Sequence, residues 1–61
     1  MTSFESGIEA IKKASDFAQC QGIDYTVTLN KKRNLFLVWC DTETIEGEFI
    51  ERVRADVHAD L

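Results

Sequence analysis

Apolar residues recur along this chain with three different spacings, and each spacing predicts its own kind of element. Over residues 3–20, Phe4, Gly7, Ile8, Ala10, Ile11, Ala14, Phe17 and Ala18 fall on one half of a helical wheel. Glu5, Glu9, Lys12, Lys13, Asp16 and Gln19 fall on the other half, so the segment reads as an amphipathic helix. Thr2 and Glu5 fit a capping box at its start, and Gly22 stands where a left-handed residue ends a helix. Gly7, Ala10, Ala14 and Ala18 are small enough to let this helix approach its neighbour closely.

The period then changes to two. Ile23, Tyr25, Val27 and Leu29 alternate with Asp24, Thr26 and Thr28, the pattern of a half-buried strand. Residues 30–34 are polar, and Asn30 and Asn34 both tolerate a positive φ, so they read as a hairpin tip. A tip of that length pairs Leu29 with Leu35, Val27 with Leu37 and Tyr25 with Trp39, and puts all six on the core face. Thr26, Thr28, Phe36, Val38 and Cys40 then share the opposite face.

The second strand, residues 35–40, is apolar without interruption and hence apolar on both faces. A two-stranded hairpin is marginal by itself, so this strand needs cover from a second helix, a twin chain or a partner. Further on, Phe49, Ile50, Val53, Val57 and Leu61 cover one arc of a wheel. They predict a second helix, from about Thr44 or Gly47 to Ala59, firm from Glu48 onward. Gly47 weakens its start by about 1 kcal/mol relative to Ala, so residues 42–45 read as a short third strand or an irregular connection. The expected fold is α+β: one domain over residues 1–61, in αββα order. Its two-stranded antiparallel sheet would extend to four strands by dimerisation.

Length sharpens the need for cover. A domain of 61 residues is near the lower limit for folding alone, and such a core rarely contributes more than about 3–5 kcal/mol of net stability. The apolar share of 44% is ordinary for a globular domain. No apolar run is long enough to cross a bilayer, and the first residues lack the pattern of a signal peptide. A cytoplasmic protein with reduced cysteines is expected. A bond between Cys20 and Cys40 is nonetheless geometrically conceivable, because the first helix ends near the end of the second strand.

Candidate chemistry is sparse. Asp56, His58 and Asp60 would align on one side of an extended chain but diverge on the expected helix, so no metal site is expected. No nucleophile has a base placed beside it by any motif, no glycine-rich phosphate loop is present, and the two cysteines are no CxxC pair. No enzyme and no cofactor are expected.

Surfaces carry what functional signal there is. The net charge of −4 is unevenly spread: residues 23–40 hold one acid against Lys31, Lys32 and Arg33, while residues 41–61 hold seven acids against two arginines. Asp41, Glu43, Glu46, Glu48 and Glu51 form a candidate acidic face for a protein partner with a basic surface. Phe36 and Val38 form a candidate apolar interface, in a homodimer or with that partner. Lys31, Lys32 and Arg33 offer the alternative, a basic tip for a small dimeric nucleic-acid-binding regulator. Overall acidity opposes direct nucleic-acid binding and membrane association. In size, acidity and lack of catalytic groups the chain resembles the small accessory proteins of phages and mobile elements, anti-CRISPR and anti-restriction inhibitors among them. That resemblance rests on size and charge and transfers no residue roles. It implies a non-enzymatic inhibitor or regulator of a nucleic-acid-handling complex.

Overall fold

A computed structural model describes residues 1–55. The chain runs β1 (Thr2–Phe4), α1 (Gly7–Gln21), β2 (Tyr25–Asn30), β3 (Leu35–Cys40) and β4 (Glu48–Val53). The four strands form one sheet in the order β1-β3-β2-β4, with every neighbouring pair antiparallel. Helix α1 covers one face of it. The α+β class expected from the pattern holds, but the sheet reaches four strands within a single chain.

The helix begins later than its wheel suggests. Ser6 is the N-cap, and its side chain accepts a hydrogen bond from the Glu9 N–H at 3.4 Å. The sequence contains two consecutive signals of the S/T-x-x-E type, Thr2 to Glu5 and Ser6 to Glu9, and the second prevails. The first lies in a segment claimed by the sheet, where Thr2, Ser3 and Phe4 pair with Val38, Leu37 and Phe36. The end of the helix agrees with expectation: Gly22 adopts φ 68° and its N–H bonds the Ala18 carbonyl at 2.9 Å.

The hairpin keeps its place but shifts its register by one residue. Asn30 joins β2 and pairs with Leu35, so the tip contracts to residues 31–34. The Asn30 side chain accepts from the Arg33 N–H at 3.2 Å, and Asn34 takes the left-handed conformation at φ 57°. Leu29 therefore faces Phe36, Val27 faces Val38 and Tyr25 faces Cys40. A slip of one residue turns every β3 side chain to the other face. Phe36 and Val38, expected on an open strip, lie instead under α1, where Val38 is only 1% exposed. Trp39, expected in the core beneath the helix, belongs to the opposite face.

Packing explains which register prevails. Ala10, Ala14 and Ala18 are fully buried against Val27 and Val38. A stripe this small brings the helix backbone close to the sheet, which suits valines and leaves little room for an indole. At Gly7 the approach is closest, since a Cβ there would sit 3.1 Å from the Phe36 ring. Phe17 and Tyr25 seal one end with ring centroids 5.6 Å apart, and the Tyr25 hydroxyl donates to Gln21 Oε1 at 2.8 Å.

The expected second helix is replaced by β4 over Glu48–Val53; its remainder, with Val57 and Leu61, lies outside the described residues. Gly47 adopts φ 103° and wedges against Thr28 Oγ1 and the Leu29 carbonyl, a conformation that cannot open a helix. The neighbouring edge of β2 is otherwise unpaired, and Phe49, Ile50 and Val53 suit a strand as well as a helix. Pairing to β2 supplies a ladder that a short helix in water lacks. A bulge opposite Val27/Thr28 lets both Ile50 and Val53 pack toward the core.

Candidate functional site

Strands β3 and β4 run in the same direction with β2 between them, so residues 41–47 must carry the chain back along the sheet. They are irregular, one of the two outcomes expected for this stretch. The hydrogen bonds show that they cross on the face away from α1. Thr28, buried on that face, donates its hydroxyl to the Glu46 carbonyl at 2.7 Å and accepts from Trp39 Nε1 at 2.8 Å. This three-member chain fixes the far end of the crossover and the plane of the indole together.

Charged groups fix the near end. Cys40 N–H donates to Glu43 Oε1 at 2.8 Å, and Glu43 Oε2 meets the Met1 ammonium at 2.7 Å. The ammonium, followed by the Cys40 N–H, holds the Glu43 carboxyl below its ordinary range. Beside it, the Arg52 guanidinium reaches Asp24 at 3.0 Å and Asp41 at 3.2 Å. Asp24 also accepts from the Ala55 N–H at 2.8 Å. That backbone hydrogen bond, and then Arg52, keep the Asp24 carboxyl below its ordinary range.

The open face thus has a defined surface. Leu37 and Trp39 floor a cleft of about 490 Å³, walled by Met1, Glu46 and Gly47 and edged by Lys32. Beyond the crossover, Phe49 is 64% exposed and Ile45 38% exposed. Ion pairs of Lys31 with Glu48 at 2.7 Å and of Arg52 with Asp41 lie around this apolar area.

The five acids singled out in the sequence are not equivalent. Asp41 and Glu48 are exposed and ion-paired, while Glu43 is half-buried and clips Cys40 to Met1. Glu46 and Glu51 are exposed and carry no ion pair among the described residues. The basic tip is exposed, with Lys31 held by Glu48, which raises its pKa. Cys20 and Cys40 are both free thiols. Asp56, His58 and Asp60 lie outside the described residues. Among the described residues no group of three metal-ligating side chains gathers, and no helix is long and apolar enough to cross a membrane.

Phe49 and Ile45, with Trp39 and the buried Leu37 in the floor of the cleft, form the apolar part of this surface, whereas the sequence pattern alone places them in cores or connections. One signal marks them. Thr26 and Thr28 put the polar face of β2 opposite the helix, and whatever pairs beside them shares that face.

No protein-family model, no curated protein and no solved structure matches this chain.

Proposed function

We propose that the protein is a small non-enzymatic binding module that engages a macromolecular partner through a basic surface on that partner, as its inhibitor or regulator. The observation that carries this reading is the coincidence of exposed apolar and acidic groups on residues 41–51. Phe49, beside Thr28 on the open face, and Ile45 are exposed with Asp41 and Glu46, while Glu48 and Glu51, paired beside Leu29 and Val27, border them along the other side of β4. An apolar centre with a charged rim is the usual make-up of a protein-binding surface, and a carboxylate rim selects a basic counterpart. Proteins that handle nucleic acids carry such basic surfaces, so they are the partner class this surface suits best.

Capture from native host extract tests the reading, with the wild type compared against two charge-reversal variants. Glu46 and Glu51 are the acids to reverse, since Glu43, Asp41 and Glu48 also hold the fold together. The E46K/E51K variant folds and loses the partner, whereas K32E/R33E retains it. Loss of the partner from K32E/R33E alone, with nuclease-sensitive material in the capture, would overturn the reading in favour of a nucleic-acid-binding tip.

A further inference from the structure

Strand β4 ends the sheet, so a row of its backbone N–H and C=O groups faces outward along Glu48–Val53. Among the described residues no backbone hydrogen bond outside the ladder reaches it. An edge of six residues that no other described residue covers accepts any strand whose side chains are compatible with its own. Here those side chains are acidic: Glu51 is exposed on the strand, Glu48 is exposed on it and held only by the surface Lys31, and Glu46 stands just before it. The one base within the strand, Arg52, is already engaged by Asp24 and Asp41, and Arg54 follows just beyond its end. Charged side chains on an edge, most often lysine, discourage pairing with strands that cannot neutralise them. This edge has the opposite sign. A second copy is a poor occupant, because β4 against β4 gathers Glu48 and Glu51 of both chains along one seam. The bulge at Ile50 also bends the strand away from flat self-pairing.

We infer that the outer edge of β4 is a strand-addition site for an extended basic segment of the partner. Basic side chains of that segment meet Glu51, and Glu48 in place of Lys31, and an apolar one between them rests on Phe49. Backbone hydrogen bonds supply the attachment and the carboxylates supply the choice. This inference rests on reading the acids as a binding surface, and it adds the mode of engagement.

The test uses a capped heptapeptide of alternating Lys and Val, and the same peptide N-methylated at every residue. The second keeps the charges and side chains but has no backbone donors. With the full chain at low salt, the plain peptide binds roughly tenfold more tightly than its methylated form. It also slows hydrogen exchange of the outward-facing β4 amides, and E51K weakens it by a similar factor while K32E leaves it unchanged. Equal binding of both peptides without slowed exchange would overturn strand addition and leave the acidic reading standing. So would binding of neither peptide while partner capture still depends on Glu46 and Glu51. Outward-facing amides of β4, those not bonded to β2, already protected in the free protein would also overturn it, by a second copy if the mass is that of a dimer, or by the chain's own residues if it is that of a monomer.

Discussion

On the helix-facing side of the sheet, Val27 and Val38 meet Ala10, Ala14 and Ala18, all buried and none with a polar side-chain atom. On the other side the same strands turn out Thr26, Thr28, Leu37 and Trp39, and what lies over them is a connection rather than an element. There the order comes from particular bonds: the Trp39–Thr28–Glu46 chain and the carboxylates around Arg52 and Met1. One side depends on volume and is intolerant of size or charge. The other depends on direction, and its outermost residues are free to be chosen for binding. The contrast puts the close-packed core on one face of a sheet only one layer thick and leaves the other face as the candidate binding surface.

Four substitutions break or sharpen that contrast. The largest effect is expected from Val38→Asp. A carboxylate buried under α1 without a partner costs more than the roughly 3–5 kcal/mol that a core of this size contributes, so the variant is unfolded by circular dichroism. Next comes Thr28→Val, which keeps the shape but removes the hydroxyl linking Trp39 to Glu46. Leaving the indole N–H unpaired costs about 1–3 kcal/mol, read as a lower urea midpoint. Trp39 is the sole tryptophan, so its emission reports the same loss as a change in indole environment.

The third concerns pH. The folded state holds the Asp24 carboxyl below its ordinary value of 3.8, through the Ala55 N–H and then Arg52. A depressed folded pKa contributes stability above the ordinary value, and that stability is lost as pH falls through the range between the ordinary and the folded values. Asp24→Asn is therefore less stable than wild type at pH near neutral, and its urea midpoint falls less between neutral and about pH 3. An equal fall in both proteins would show that Asp24 does not couple folding to protons. The smallest effect is expected from Phe49→Ala on the open side. With its ring largely in solvent, the change shifts stability by no more than about 0.5 kcal/mol, while partner capture is reduced. A large loss of stability would mean that Phe49 is structural.

Much of the helix side was legible beforehand. The stripe of Gly7, Ala10, Ala14 and Ala18, the Gly22 cap and the polar alternation of β2 are local, and local geometry decides them. Two similar capping signals stood side by side at the start, and choosing between Thr2 and Ser6 required knowing that β3 had a free edge for residues 2–4. The acids were visible as a charge excess, but not that Glu43 is a clip, Asp41 a fold-locking partner of Arg52, and Glu46 and Glu51 the two without ion pairs among the described residues. Ion pairing depends on which ends of β2, β3 and β4 come together, and no spacing along the chain records that.

By itself, the sequence determined the elements whose cause is contained within about one turn or one strand: the body of α1, its glycine stop, β2, and a hairpin tip within residues 30–34. It also determined that β3, apolar on both faces, needed cover on both. Tertiary structure decided what supplied the cover. Whether Asn30 is tip or strand is a choice of one residue, and close packing of the alanine stripe settles it by admitting Val38 and excluding Trp39. Residues 48–53 have apolar positions compatible with either a helix or a strand. The unpaired edge of β2 and the left-handed Gly47 beside Thr28 make them a strand, because a ladder outweighs the weak preference of six residues for either form.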